Sequence, residues 1–427
     1  MKEQELLRTL AAEIACTTGC TDPGSVCLAA AAAAHALGCE PQRIEVLVSP
    51  NIFKNGVSVG IPGTGRFGLK IAAALGALLD CPEGGLDILS GVSEEMVCRA
   101  EAIVAAGAVT VWYEKTPDPL YVKATVYAGD LWAEAEIAQD YSNIISIRKN
   151  GAAVFQREQS EEPEGQYPFL NHPVQELYDQ ILATDPSRFL FLLEAAKRNQ
   201  EAALQGLNNP DMRLGRLLRS RSAGPGCTPL AVTNAVQAYT AAAGEARMRG
   251  MDVTIMAIAG SGNHGITNFV GVLSAAEELG ASPEQTAVAL AISSMITIYI
   301  KSYIKRMTAF CGCGVAAATG MAAAVTYLLG GNYFQAVHAM QTVIGTLGGM
   351  FCDGAKNSCA YKLSTAAAMA VQAAYLAMED CYVPAGEGII GQTIEQTFAN
   401  IGRLNNPGMA ETDRVMVSII SENRRET

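Results

Sequence analysis

The spacing of apolar and polar positions changes texture twice along the chain. Over residues 1–38 apolar side chains recur at helical spacing, interrupted at Thr21-Asp22-Pro23-Gly24, which predicts one or two helices. Thr21 or Asp22 suits the N-cap of the second, with Pro23 in its first turn. After Arg43 strict alternation takes over. Ile44–Val48 and Val57–Ile61 read as strands, with Asn55-Gly56 as a tight turn between them. Helical spacing returns at 69–79 and 94–106, followed by short alternating runs at 108–113, 121–127, 131–137 and 144–148. Strands in succession without intervening helices predict an antiparallel sheet.

A charged stretch containing Pro and Gly, 156–170, reads as a linker. Beyond it, Ala-rich periodicity predicts helices near 176–206, 230–249, 269–280, 284–301, 315–329, 332–347 and 363–378, without a fixed-period repeat. The expected fold class is α+β. N-terminal helices (1–38) pack on the helical domain, a small α+β domain covers 39–155, and a large all-α domain covers 171–427.

Composition sharpens this picture. Of the 427 residues 50% are hydrophobic and only 17% charged, the reverse of a disordered chain. A net charge of −12 leaves no electrostatic footprint for nucleic acid or an anionic membrane. Met307 to Cys352 contains no Asp, Glu, Lys or Arg, which is long enough to span a bilayer. Its Ala, Thr and interrupting Gly residues fit helices buried in a large core better. Glu3, Glu5 and Glu13 among the first apolar residues do not resemble a secretory signal, so a cytoplasmic location is expected. In that compartment the twelve cysteines are core residues, metal ligands or catalytic thiols rather than disulfides.

Gly63-Thr64-Gly65-Arg66-Phe67-Gly68 matches G-x-G-x-x-G, but Pro62 enters the turn and the following strands are not βαβ units. It reads as a glycine-rich turn that touches substrate, and NAD is not expected. Gly260-Ser261-Gly262-Asn263-His264-Gly265 is a second glycine loop, either an anion cradle or a tight connection. Cys311 and Cys313 sit in one short motif, Cys352 and Cys359 in another, and neither has the C-x-x-C spacing of structural zinc. Converging thiolates suit an iron–sulfur cluster or another soft metal. Core packing is the expected role of Cys27, Cys39, Cys81, Cys98 and Cys381. Cys20 precedes a predicted helix N-terminus, whose dipole favours thiolate. It is a candidate base, nucleophile or fourth ligand, or a packed core residue.

Together these segments resemble the L-cysteine desulfidase family, which is related to the α chain of iron–sulfur L-serine dehydratases. The resemblance is carried by Gly-Cys-Thr-Asp-Pro at 19–23, Asn-Ile-Phe-Lys-Asn-Gly at 51–56 and Gly-Ile-Pro-Gly-Thr at 60–64. It continues in Glu-Ala-Arg-Met at 245–248, Gly-Ser-Gly-Asn-His-Gly at 260–265, the block at 305–313, and Cys-Asp-Gly-Ala-Lys-Asn-Ser-Cys at 352–359. It implies a [4Fe-4S] cluster held by Cys311, Cys352 and Cys359, with Cys313 as the alternative to Cys311. It also implies Cys20 as proton acceptor in β-elimination of a small L-amino acid, L-cysteine yielding pyruvate, ammonium and hydrogen sulfide. Ser261, Asn263 and His264 are expected at the substrate carboxylate, with Lys54, Asn55 and Thr64 closing over it. Two positions depart from the family pattern: Asp22 replaces Glu, and Tyr141 stands where relatives carry His.

Three other functions compete: L-serine dehydration on the same cluster, a PLP lyase, and a non-catalytic iron–sulfur sensor. The PLP reading would use Lys356 as Schiff base and 260–265 as phosphate loop. The helical domain also has room for a homodimer interface.

Overall fold

The computed structural model describes residues 2–89, 92–116, 118–157, 168–220, 228–305 and 307–425. Most of the expected linker, residues 158–167, lies outside the described residues, as does Arg306 of the 305–313 block.

The chain begins with helix α1 (Glu3–Glu13), strand β1 (Ile14–Thr18), α2 (Thr21–Leu37), β2 (Arg43–Val48) and α3 (Pro50–Gly56). A small hairpin of β3 (Gly60–Ile61) and β4 (Arg66–Phe67) leads to α4 (Leu69–Leu79) and α5 (Glu94–Ala105). Strands β5 (Val109–Tyr113), β6 (Tyr121–Ala128), β7 (Leu131–Ala138), β8 (Ile144–Lys149) and β9 (Ala152–Gln156) complete the small domain. The helical domain opens with α6 (Val174–Ala183), α7 (Leu190–Asn208), α8 (Leu214–Ser220) and α9 (Pro229–Met248). Strand β10 (Thr254–Ile258) and the single turn α10 (Gly262–Gly265) precede α11 (Gly271–Leu279), α12 (Pro283–Ile304) and α13 (Ala318–Leu328). Last come α14 (Tyr333–Leu347), α15 (Cys359–Met378), α16 (Ile394–Arg403) and α17 (Ala410–Arg425).

The fold is α+β, and its six-stranded sheet is mixed, in the order β5-β2-β6-β7-β8-β9. The expectation of a wholly antiparallel sheet is corrected at one pair: β2 and β5 run parallel. Their connection carries α3, α4 and α5, and a parallel pair requires such a crossover. Ile44, Val46 and Val48 on β2 turn one face of the sheet into a dry core with Val122, Ala124 and Val126. Helix α2 lies on that face and against α4, so it belongs to the small domain. The earlier part of 1–38 reaches the helical domain: Leu6 and Leu10 of α1 join its core and Ile14 of β1 packs against it. This corrects the placement of all of 1–38 on the helical domain. Small residues permit the α2–α4 contact, since a Cβ at Gly76 would fall 2.1 Å from the Cys27 carbonyl oxygen.

Two local readings also change. Asn55-Gly56 ends a helix rather than turning between strands. Ser49 caps that helix, its Oγ accepting from the Ile52 N–H at 3.4 Å, with Pro50 in the first turn. These start signals outweigh the alternation, and the strand expected at 57–61 shrinks to Gly60–Ile61. In the N-terminal region Ile14–Thr18 is a strand, paired antiparallel with β10 from Ile14↔Ile258 to Thr18↔Thr254. That pairing ties the start of the chain to the helical domain.

Helix α12 is the one described helix long and apolar enough to cross a membrane, and 89% of its apolar window is buried inside the protein. The charge-free stretch 307–352 divides between a π-helical turn (Cys313–Ala317) and the short helices α13 and α14.

Candidate active site

Cysteines remote in sequence are joined by backbone. Phe310 and Phe351 form an antiparallel bridge. The Cys311 N–H donates to the Met350 carbonyl and the Cys352 N–H to the Ala309 carbonyl, each at 2.7 Å. Cys359 opens α15. Cys311, Cys313 and Cys359 share one apolar cluster with Met350 and Leu363, and Cys359 also packs against the cluster of Cys20, Val59 and Met248. The thiols sense one another. Cys313 donates to Cys311 and so holds the Cys311 thiol down toward thiolate against the effect of burial. Cys313 is pushed up by the same bond, by burial and by the charges of Cys311, Cys359 and Cys352. Burial raises Cys359 to about 11, with Lys356 opposing.

No three His, Cys, Asp or Glu side chains among the described residues converge on the point a single ion would need, with sulfur about 2.3 Å from the metal. A multi-iron cluster spreads its ligands wider, and a set of three or four soft, partly thiolate donors in an apolar wall is the chemistry such a cluster takes. Cys311, Cys313 and Cys359 lie in such a wall, with Cys352 within electrostatic reach of Cys313.

Cys20 is the N-cap of α2 and 5% exposed. The helix dipole was expected to favour its thiolate, but burial and the neighbouring Asp22 carboxyl push its pKa strongly up, against Arg247 and the Asp22 backbone N–H. The resting group is therefore a thiol. It donates to Asp22 Oδ2 at 3.3 Å, while Asn55 Nδ2 donates to Asp22 Oδ1 at 3.3 Å. Burial raises Asp22 to about 6, and these two donors and Arg247 limit the rise. The thiol thus has a proton acceptor in contact with it.

The second glycine loop folds as α10 and runs into a π-helical turn, Ile266–Val270. The turn Cys313–Ala317 is also π-helical, and such turns concentrate at functional sites. His264 is buried and its Nδ1 stands 3.2 Å from the Ile258 carbonyl oxygen. Since a carbonyl only accepts, Nδ1 carries the hydrogen and Nε2 presents a lone pair. Burial first, then Lys301 and Arg247, lower His264 to about 3. The ring faces Gly312, where a Cβ would lie 2.1 Å from Nε2, so the imidazole abuts the Cys311–Cys313 loop. Asn263 Oδ1 accepts from Arg247 Nη1 at 2.9 Å. Ser261 is the N-cap of α10 but its side chain caps nothing.

The remaining expected residues divide. Asn55 donates to Asp22, the partner of Cys20, as described. Lys54 is 2% exposed and its ammonium is paired with Asp413 of α17 at 2.5 Å. Thr64 closes its own turn, donating to the Ile61 carbonyl at 2.9 Å and accepting from the Arg66 N–H at 3.0 Å. The turn 63–68 is a hairpin joining β3 to β4, not a strand-to-helix phosphate loop. Tyr141 Oη lies 3.9 Å from Met307 Sδ, and Asn55 Nδ2 lies 4.0 Å from the same sulfur. Lys356 is held by Asp353 at 2.5 Å and by two carbonyls, as a paired cation rather than a free amine.

Residues 83–418 match the serine dehydratase alpha chain family. The chain belongs to that family. It is also 48% identical over 421 residues to the UPF0597 protein of Methanocella arvoryzae, covering 99% of both chains. A UPF0597 protein of Clostridioides difficile is 36% identical over 97% of this chain and 99% of its own. The UPF0597 protein YhaM of Salmonella enteritidis is 38% identical over 98% of this chain and 97% of its own. Membership in the serine dehydratase alpha chain family makes this a dehydratase-like, lyase-type enzyme.

Two residues of this serine dehydratase alpha chain relative carry more of the site than their sequence signal suggested. Asp22 looked like a cap or a shortened Glu, yet it contacts the thiol. Arg247 belonged to the Glu-Ala-Arg-Met motif without a role of its own; it is 4% exposed and donates to the Gly19 carbonyl (2.8 Å) and to Asn263 Oδ1.

Proposed function

We propose that the chain catalyses β-elimination of a small L-amino acid, with L-cysteine yielding pyruvate, ammonium and hydrogen sulfide. One observation carries this reading: Cys311, Cys313 and Cys359 share an apolar cluster within electrostatic reach of Cys352, and Cys359 also packs against the cluster of Cys20, whose thiol donates to the buried Asp22. Iron–sulfur clusters are known in this family. Cys311, Cys352 and Cys359 would hold a [4Fe-4S] cluster, with Cys313 the alternative to Cys311. Bound there, it supplies a Lewis acid that stabilises negative charge on the substrate.

The chain's own residues handle the proton. Cys20 Sγ takes the α-proton while its own hydrogen passes to Asp22 Oδ2. The Cα–H electron pair becomes the double bond and hydrosulfide leaves from Cβ. Released aminoacrylate tautomerises and hydrolyses to pyruvate and ammonium. Asn55 holds the carboxylate in line with the thiol. Apolar walls around Cys359 and Met248 exclude water. His264, neutral above about pH 3, adds no competing positive charge. Free thiols and an open-site cluster suit a reducing compartment, so a cytoplasmic location accompanies this reading.

Family membership favours L-serine as the second reading, since both leaving groups depart from Cβ. Purified anaerobic protein supplied with each amino acid distinguishes them. We expect pyruvate and sulfide from L-cysteine, with stoichiometric iron and sulfide in wild type that fall in Cys352→Ala. Pyruvate from L-serine alone would replace desulfidation with dehydration. Colourless, iron-free protein that turns over either substrate would overturn the cluster.

A further inference from the structure

Resting on that reading, we propose that Arg247 is the anion-binding residue of the site and receives the substrate's α-carboxylate. Its guanidinium is buried, and among the described residues no carboxylate lies within ion-pair reach of it. Glu245, two residues away on α9, is committed elsewhere, accepting from the Arg213 and Gly215 N–H groups at 3.3 and 3.0 Å. Asp22 has both oxygens occupied, by Cys20 and Asn55. Arg247 uses Nη1 and Nη2 on neutral acceptors, and its buried Nε has no partner. Arg247 feels the Asp22 carboxylate without ion-pairing to it, and a buried cation with no direct anionic partner is costly until one joins it.

The surroundings are shaped for this side chain. At Gly262 a Cβ would lie 2.5 Å from Arg247 Nε and 2.8 Å from Cζ, so only glycine lets the guanidinium lie against the loop. The bond to Gly19 O puts the cation one residue from Cys20, and the bond to Asn263 puts it one residue from His264. A carboxylate on its remaining N–H groups has its Cα one bond further on, beside the Cys20 thiol. Arg247 therefore selects substrates with a free α-carboxylate and places the proton to be removed. The loop 260–265, expected at the substrate carboxylate, touches this arginine through Gly262 and Asn263.

Equilibrium binding of L-alanine and L-alaninamide to the holoenzyme, followed by calorimetry, tests this. Wild type is expected to prefer the acid by about 10- to 100-fold, as for a charge-assisted hydrogen-bonded pair. Arg247→Gln should reduce that preference to within about threefold. Because that variant can fail to fold, Asn263→Asp is the companion. It gives Arg247 an internal anion, and should abolish the preference while leaving the thermal midpoint unchanged or higher. A folded variant of either kind that keeps the wild-type preference overturns the proposal, as does wild type without one. Wild type that prefers the acid but eliminates nothing supports Arg247 as the anion site and overturns the elimination reading instead.

Discussion

Asp22 lies where a proton is most useful and most costly to be without. Its carboxyl is buried, touches the Cys20 thiol, and is raised from 3.8 to about 6. A raised folded-state pKa means that the neutral form contributes stability fully present below about pH 4 and lost as pH rises through about 6. Asp22→Asn should accordingly stabilise the protein at pH 8, by up to about 3 kcal/mol, and change little at pH 4. Denaturation curves at the two pH values check this. The same substitution removes the acceptor for the thiol proton, so turnover should fall by about 10²-fold or more. Unchanged turnover would leave Cys20 to act alone. The raised thiol also marks a limit of sequence reasoning. The helix N-terminus before Thr21 was legible, but burial of Cys20 depends on Val59 and Met248, contributed from far along the chain.

At the scale of elements, the regular pieces were the readable ones. Helices at 69–79 and 229–248 and strands at 121–128 and 131–138 carry unbroken periodicity, and their bounds agree within a residue or two. Short or doubly specified segments were not readable. Ile14–Thr18 sits within residues that fit a helix and becomes a strand because β10 offers it a partner. The π-helical turns at 266–270 and 313–317 have no compositional signature, yet one follows the His264 turn and the other begins at Cys313. Cysteine spacing pointed to a soft-metal site, while the pairing of Phe310 with Phe351 that brings the motifs together lay in no local pattern. The close approach of α10 to the cysteine loop predicts a specific intolerance. Gly312→Ala would place a methyl group 2.1 Å from His264 Nε2. Since the buried ring is also tethered at Nδ1, the variant should lose about 1–3 kcal/mol in a denaturant titration. It should also bind less iron than wild type under the same anaerobic reconstitution.

On the scale of the whole molecule, one ion pair fastens the last helix to the small domain. Lys54 has a side chain only 1% exposed, and Asp413 of α17 is its partner. Asp413→Asn leaves that ammonium buried without its anion, and should cost about 3 kcal/mol or more by urea denaturation. Limited proteolysis should then release α17 faster than in wild type. If stability and cleavage are unchanged, the pair contributes nothing. The same pair sets a timetable for the newborn chain. Its two members are 359 residues apart, so at about 5–20 residues per second a ribosome needs roughly 20–70 s to deliver the second after the first. For a little over half of that wait, until residue 258 has been made, the first strand also lacks β10, and its free edge is a template for unwanted pairing. Docking of α17 on the small domain is therefore among the last events of folding, and the half-made polypeptide must wait without it.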